Sequence, residues 1–286
     1  MIIREKVPAK VNLTLDVVGT EGNYHNINSL VASITLFDAI TLVKRKDKRV
    51  CLTNKGLFVD CPAHDNNAVK AASLFIKKFG TKGVNIIINK KIPVGGGLGG
   101  SSADIAGVLK GMKKLYGIDC DLKPLADELG SDATYMLDGG YAGISGRGTE
   151  VKKLKITQSL PLILISSKAQ ISAKNCYKKY DEMNITYPEC TDSAVKLISS
   201  GDLLGLAKVI KNDLQPAAEQ FIDVRLPKLA LEEVGAKAVL VSGSGPTVYG
   251  VFINNSARDL AYKKLFPLFG DRAIKANTIS HIEPKN

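Results

Sequence analysis

Five glycines and two serines stand close together about a third of the way along the chain, in the segment PVGGGLGGSSA (residues 93–103). A phosphate group is bound when several backbone N–H groups converge on it, and glycine permits this approach because it has no Cβ atom. Serines at the start of a following helix add hydroxyl groups, and the helix dipole favours negative charge. The segment therefore predicts a phosphate-binding loop, although a flexible surface turn has a similar composition.

Known phosphate-binding motifs differ from this segment in specific ways. Gly95, Gly97 and Gly100 fit the G-x-G-x-x-G pattern of dinucleotide-binding proteins, which also need an acidic residue at the end of a buried strand about twenty residues later. Asp119 and Asp121 lie near that distance, but within YGIDCDLKP, which is not a buried strand. No Gly-Lys-Ser/Thr follows the glycines, and the H-R-D and D-F-G motifs of protein kinases do not occur. These observations argue against nicotinamide enzymes, P-loop proteins and protein kinases.

The composition narrows the class of protein further. Lys and Arg number 39 against 28 Asp and Glu, so the formal net charge is +11, which favours an anionic partner such as nucleic acid, a membrane surface or a nucleotide. The five cysteines form no C-x-x-C pair and there are three histidines, so neither a zinc site nor a disulfide framework is expected. No apolar run suits a signal peptide or a membrane span. We expect a reduced, cytoplasmic, soluble protein.

Hydrophobic periodicity predicts the elements that position the loop. A helix over 66–80 ends at Gly80, a strand over 84–92 ends at Pro93, and a helix after the loop runs to Tyr116. Other strands are predicted over 13–18, 28–36, 50–53, 160–166, 237–243, 247–253 and near 272–278, and other helices over 122–129, 172–182, 191–200, 202–211, 217–233 and 256–266. A change of pattern near the basic stretch 152–155 predicts two α+β domains, over residues 1–155 and 156–286.

The loop is similar to the P-x-x-x-G-L-G-G/S-S-S-A motif of the GHMP kinases, which phosphorylate small molecules. Further segments resemble, in the same order, the branch of that family that acts on a cytidine diphosphate-linked methylerythritol. These segments are PAKVNLTLDVVG (8–19), NYHNINSL (23–30), LFDAITL (36–42), LGSDATYMLDGGYAGISGRGTEV (129–151), NDLQPAA (212–218) and GAKAVLVSGSGPTVYGVF (235–252). The resemblance implies a two-domain α+β GHMP kinase fold. Its N-terminal domain would be like ribosomal protein S5 domain 2 and its C-terminal domain ferredoxin-like, with the active site in the cleft.

The resemblance also implies a cofactor, which is ATP together with Mg²⁺, and roles for individual residues. Asp132 matches the catalytic base, and Lys10 matches a catalytic lysine that would keep this carboxylate ionised. The residues expected to bind ATP are Gly95, Gly96, Gly97, Leu98, Gly99, Gly100, Ser101, Ser102 and Asn66. The residues expected to bind the substrate are Asn12, Tyr24, His25, Tyr177, Gly243 and Ser244. Of these, Tyr24 and Tyr177 would stack on the cytosine, and His25 would bond its edge.

Each assignment has a structural alternative. Asp132 is also typical of a turn or helix cap, and Lys10 could be an exposed lysine just before the strand 13–18. Asn66 could cap its helix, and Tyr177 could pack in a core. The segment SGSGPT (242–247) could be only a tight turn between two strands.

The resemblance therefore implies an ATP-dependent kinase that phosphorylates the 2-hydroxyl of the cytidine diphosphate-linked methylerythritol, in the non-mevalonate route to isoprenoid precursors. A GHMP kinase of the homoserine or mevalonate type is the alternative that shares the loop but not the segment around Tyr24 and His25. A basic RNA-binding protein would explain the charge but not the glycine loop. We expect a small-molecule substrate, no nucleic-acid or membrane partner, no protein metal site, and a monomer or homodimer.

Overall fold

A computed structural model describes residues 1–22, 24–167 and 169–280 of the chain. The described residues form eleven β-strands and ten α-helices. The strands are β1 (Ile2–Asn12), β2 (Asp16–Glu21), β3 (Tyr24–Lys44), β4 (Val50–Gly56), β5 (Val84–Lys90), β6 (Tyr141–Gly146), β7 (Glu150–Leu154), β8 (Pro161–Ile165), β9 (Ala238–Val241), β10 (Val248–Val251) and β11 (Ala273–Asn277). The helices are α1 (Asn67–Phe79), α2 (Gly100–Tyr116), α3 (Lys123–Leu129), α4 (Ala133–Asp138), α5 (Ala173–Met183), α6 (Thr191–Ser200), α7 (Leu203–Val209), α8 (Gln215–Ala218), α9 (Arg225–Glu233) and α10 (Asn255–Phe269).

These elements group into two compact units that alternate along the sequence. The first unit consists of Met1–Ala9, Leu36–Val94 and Gly99–Gly139. The second consists of Lys10–Thr35, Gly95–Leu98 and the described residues from Gly140 onwards. The glycine loop is therefore divided after Leu98, and β3 contributes residues to both units. A domain boundary near residue 155 stays a prediction.

In the first unit, the second half of β3 pairs antiparallel with β5, and β5 pairs parallel with β4. Helix α1 lies as predicted: the Asn66 side chain accepts a hydrogen bond from the Ala68 backbone N–H, and the helix ends at Gly80, where φ is 65°. Glycine suits this C-terminal position because it adopts positive φ without steric cost. Helix α1 packs against α2, which follows the glycine loop.

Helix α2 lies very close to the strands beneath it. A Cβ atom added to Gly107 would lie 2.5 Å from Ile40 Cδ1, and one added to Gly111 would lie 2.3 Å from Leu42 Cδ1. The two glycines are four residues apart and therefore share one face of the helix. The backbone of α2 thus packs directly on the side chains of β3.

The second unit contains a four-stranded antiparallel sheet in the order β11-β8-β10-β9. Val248 in β10 lies opposite Ile165 on one side and Val241 on the other. Helix α9 packs on β10, and α10 packs on β8 and β11, which buries an apolar core that includes Ile163, Ile165, Leu231, Val241, Val248, Phe252, Leu265 and Phe269. In the same unit, the first half of β3 pairs with β2 and β6, and β6 pairs with β7.

Several elements differ from the sequence-based expectations. Strand β1 was not expected, because its charged residues before Val7 resemble an exposed segment, although its last six residues are all buried. Strand β3 has 21 residues where a strand over 28–36 was expected. The helix expected over 217–233 is two helices, α8 and α9. Between them the Asp223 carboxylate accepts a hydrogen bond from the Arg225 backbone N–H, a local bond that competes with helical pairing.

Elements were also missed in the glycine-dense segment 130–148. It contains α4 and β6, and β7 follows directly after it. Glycine weakens the propensity signal for both helix and strand, so these elements depend on tertiary packing. Among the helices of the described ranges, none combines the length and the apolar character that crossing a bilayer requires.

Candidate active site

The end of β1 carries a buried cation. Lys10 is 6% exposed, and its ammonium group donates a hydrogen bond of 2.7 Å to Asn12 Oδ1. The Asn12 amide in turn donates to Ser29 Oγ at 2.9 Å. Lys10 lies within β1 and not on an exposed segment before a strand, so the alternative of an ordinary surface lysine is wrong. Burial of an ammonium group is costly unless the charge is paired or used.

The first half of the glycine loop lies against the turn SGSGPT (242–247). Ser242 Oγ donates a hydrogen bond to the Gly97 carbonyl at 3.0 Å, and the Thr247 backbone N–H donates to the Gly96 carbonyl at 3.3 Å. Gly97 has φ +74°, and an added Cβ atom would lie 2.1 Å from the Ser242 carbonyl oxygen. The turn therefore does more than connect two strands, because it also holds the loop.

The same turn approaches the buried lysine. A Cβ atom added to Gly243 would lie 3.3 Å from Asn12 Oδ1 and 3.8 Å from Lys10 Nζ. The Asn212 side chain fixes the turn by donating to the Val241 carbonyl at 2.9 Å and the Gly243 carbonyl at 2.7 Å. Sequence reasoning gave Asn212 no role, although it begins one of the segments that resemble the family.

The backbone of the loop completes this arrangement. The Lys10 backbone N–H donates to the Leu98 carbonyl at 2.9 Å, so the strand that carries the cation is bonded to the loop. Ser244 follows Gly243 in the turn and is half-buried. The second unit thus brings together the predicted residues Lys10, Asn12, Gly96, Gly97, Leu98 and Gly243.

The residues predicted for the cytidine end form a second group in this unit. The His25 ring stacks on the Tyr177 ring, with 4.6 Å between centroids and 22° between planes. His25 Nε2 lies 2.6 Å from Asp181 Oδ1. Tyr177 and Asp181 are four residues apart in α5 and share one helix face. Sequence reasoning missed Asp181. Its spacing of four residues from Tyr177 was the signal that could have identified it.

Tyr24 lies elsewhere, because successive side chains of a strand point to opposite faces. Tyr24 is 56% exposed, and the Arg147 guanidinium lies 3.6 Å from its ring centroid. A sandwich of one base between Tyr24 and Tyr177 stays a prediction.

In the first unit, the second half of the loop begins α2. Gly99 has φ 69° at the N-cap of this helix, and the Asn67 amide donates to Ser101 Oγ at 2.6 Å. Ser101 is exposed and Ser102 half-buried. Asn66 caps α1, so its structural alternative is confirmed, and a role near ATP stays a prediction beside it.

A buried ion cluster lies under the first turn of α2. Lys90 Nζ donates to Asp38 and Asp104 at 2.6 Å each and to the Gly100 carbonyl at 3.2 Å. Burial lowers the pKa of Lys90, but the two aspartates outweigh this effect and raise it overall. Burial also raises the pKa of Asp104 to about 7. Sequence reasoning missed this cluster, whose members lie far apart in the chain.

Asp132 lies at the N-cap of α4, but its side chain makes no capping hydrogen bond in the described structure. Its backbone carbonyl accepts from the Met136 N–H at 3.0 Å. Asp132 is half-buried and lies in the turn that the Ala133 N–H closes on the Gly130 carbonyl at 3.0 Å, so a turn residue stays the structural alternative and the catalytic role stays a prediction. Among the residues described here, no group of three or more His, Cys, Asp and Glu side chains could hold a metal ion.

Comparisons with known proteins agree with these observations. The family descriptions "GHMP kinases N terminal domain" and "GHMP kinases C terminal" match residues 66–144 and 227–270. A 4-diphosphocytidyl-2-C-methyl-D-erythritol kinase of Bacillus cereus is 34% identical over 267 residues, which cover 91% of each chain.

Solved structures give the same result. The crystal structure of a 4-(cytidine 5'-diphospho)-2C-methyl-D-erythritol kinase matches with a TM-score of 0.83 and 26% identity, covering 96% of this chain and 99% of the other. A homoserine kinase from Cytophaga hutchinsonii matches with a TM-score of 0.72 and 19% identity, covering 98% and 95%, which shows the shared fold alone. The chain therefore belongs to the GHMP kinase family, in the branch of the 4-diphosphocytidyl-2-C-methyl-D-erythritol kinases.

Proposed function

We propose that this kinase transfers the γ-phosphate of ATP to the 2-hydroxyl of 4-diphosphocytidyl-2-C-methyl-D-erythritol, which yields ADP and the 2-phosphate. Relatives and a solved structure that bear the name of this kinase support the choice of substrate. The observation that carries the proposal is the buried Lys10–Asn12 pair beside the glycine turn at Gly243. A buried cation next to backbone without side chains suits a phosphorylated, oxygen-rich ligand.

The glycine loop fits the phosphates of ATP. Gly95, Gly97 and Gly99 all have positive φ, so their backbone conformations are ones that other residues rarely adopt. The loop leads into the N-terminus of α2, a helix of 17 residues, where backbone N–H groups and the helix dipole favour anions.

We propose that Mg²⁺ accompanies ATP. Magnesium in kinase sites is bound by substrate phosphates and by only one or two protein groups, so a site built largely from the nucleotide agrees with the donors present here. The hydroxyls of Ser101 and Ser102 are the loop side chains available to phosphate or metal. When bound, Mg²⁺ neutralises charge on the phosphates during transfer.

The proposed catalytic residues are Asp132 and Lys10. Asp132 accepts the proton of the 2-hydroxyl as the substrate oxygen attacks the γ-phosphorus, which is a role that a positioned carboxylate can fill. Lys10 stabilises negative charge on the reacting groups, and the hydrogen bond to Asn12 orients its ammonium group. The buried position strengthens this electrostatic effect because little water screens it.

The proposed substrate-binding residues lie in the second unit. Gly243 and Ser244 bind the methylerythritol and phosphate side, and Asn12, His25 and Tyr177 bind towards the cytidine, with Tyr24 as a second aromatic contact. Tyr177 offers a stacking surface and His25 a hydrogen-bonding edge.

Three further features belong to the proposal. The enzyme works in the cytoplasm, where all five cysteines stay unpaired as they are here. It acts as a monomer or homodimer without nucleic acid. Its two family domains cover residues 1–155 and 156–286.

Release of ADP by the purified protein, measured with each acceptor alcohol in turn, tests the proposal. We expect turnover with the cytidyl substrate and none with mevalonate or homoserine. Turnover with either of those alcohols, and not with the cytidyl substrate, would overturn it. Omission of Mg²⁺, with EDTA present, should abolish ADP release.

A further inference from the structure

His25 is held on two sides by residues of one helix. Its Nε2 atom lies 2.6 Å from Asp181 Oδ1, and its ring stacks on Tyr177 at 4.6 Å. Tyr180 of the same helix meets the ring edge-on at 6.5 Å. The His25 side chain is only 13% exposed. Helix α5 therefore fixes both the plane of the imidazole and the direction of its Nε2 atom.

The bond to Asp181 also decides which nitrogen carries the proton. An ionised carboxylate can only accept a hydrogen bond, so Nε2 must donate to it. In a neutral imidazole one nitrogen donates and the other accepts, and the partner of one nitrogen sets the state of the other. His25 Nδ1 is consequently a hydrogen-bond acceptor, and no other described residue bonds to this atom.

Cytosine and uracil differ in what they offer to such an acceptor. Cytosine carries an exocyclic amino group, which donates, where uracil carries a carbonyl oxygen, which accepts. We infer that Asp181 is a positioning residue for base selection: it fixes the Nε2–H tautomer of His25, so that Nδ1 accepts from the cytosine amino group and disfavours uracil. The inference rests on the proposed function, in which His25 faces the base.

Asp181→Asn tests this selection. An asparagine side chain no longer forces Nε2 to carry the proton, because its NH2 group can donate to Nε2. In that arrangement the imidazole proton moves to Nδ1, which becomes a donor suited to uracil. We measure kcat/KM for the cytidyl substrate and for the same diphosphate with uracil in place of cytosine. The ratio of the two should fall about tenfold or more in the variant, since an unmatched buried polar group is costly.

Glu182→Gln is the matched control. Glu182 is the next residue of α5 and is paired with Lys179 at 3.1 Å, so this variant removes the same charge without touching His25. The ratio of kcat/KM for the cytidyl substrate to that for the uracil substrate should be the same in Glu182→Gln as in the wild type. Asp181 is 54% exposed, so both variants should fold, and melting temperatures check this.

A measurement without substrate separates this inference from the proposed function. The imidazole ¹⁵N chemical shifts at pH 8 report the tautomer directly, and the chain has three histidines, so His25→Gln assigns the signal. We expect Nε2–H in the wild type and its loss in Asp181→Asn. A wild-type Nδ1–H tautomer would overturn the inference, and so would an Asp181→Asn protein that loses Nε2–H and yet keeps the wild-type base ratio. If the wild type phosphorylates neither diphosphate, the proposed function fails. The NMR result then tests by itself whether Asp181 fixes the tautomer of His25.

Discussion

Replacement of Gly97 by alanine isolates the contact between the glycine loop and the turn at Ser242. The added Cβ atom would lie 2.1 Å from the Ser242 carbonyl oxygen and 3.0 Å from that of Gly245. Both partners are backbone atoms, so no side chain can rotate away. The loop and turn must separate by about 1 Å to reach a normal contact distance, a displacement that can reduce a reaction rate about 100-fold.

The positive φ of Gly97 adds a loss of stability, which the experiment has to separate from the effect of the steric contact. A left-handed conformation costs an alanine about 1–2 kcal/mol. Gly117, at the C-terminus of α2, is the matched control because its φ is +64° and, within the described part of the chain, an added Cβ atom meets nothing within 4 Å. Gly117→Ala should therefore lose stability by that amount and keep normal kinetics.

Steady-state kinetics with varied ATP give the comparison, with thermal melting to confirm that both variants are folded. We expect kcat/KM for ATP to fall about 100-fold in Gly97→Ala and to stay within about twofold of the wild type in Gly117→Ala, since its change does not reach the loop. A folded Gly97→Ala protein with the kinetics of Gly117→Ala would show that residues 95–98 do not position the phosphates.

Three other predictions test separate parts of the molecule. Asp132→Asn should lower kcat about 10²–10⁴-fold, because the amide cannot accept the proton, while the ATP-induced rise in melting temperature persists; a normal kcat would make Asp132 structural. Tyr177→Ala should raise KM for the cytidyl substrate about tenfold or more and Tyr177→Phe should restore it, whereas a lowered melting temperature with unchanged KM would make Tyr177 a packing residue. Burial raises the pKa of Asp104 from 3.8 to about 7, so the folded state holds this proton more tightly than the unfolded chain. The free energy of unfolding in urea should therefore fall as the pH rises through this range, and a slope unaltered in Asp104→Asn would refute the assignment.

The elements with strong local signals were predictable from the sequence. Helix α1 combines an asparagine cap with a terminal glycine, and α2 has a regular apolar face that ends at Gly117. Strand β1 was not predictable from the sequence. The charged residues of its first half give no sign that Lys10 becomes buried. That burial comes from pairing with β3 and from the loop backbone at Leu98, contacts between residues far apart in the chain.

The residues of the candidate site divide in the same way, into those that the sequence predicted and those that it did not. The glycine loop and Asp132 carry signals in their residue types and spacing, and the resemblance to a family added roles for Lys10 and His25. The supporting residues Asn212, Lys90 and Asp181 were missed, since each acts through a side-chain bond across the fold. Such partners are fixed by tertiary geometry, which local pattern does not encode.

The close packing of α2 has a consequence for engineering thermal stability. Alanine in place of a helical glycine usually adds about 1 kcal/mol, but at Gly107 or Gly111 the new methyl group would collide with Ile40 or Leu42. Overfilling a packed interior costs about 1–3 kcal/mol, which cancels the gain. Gly143 in β6 is the better choice, because there an added Cβ atom meets no described atom within 4 Å and alanine restricts the unfolded chain.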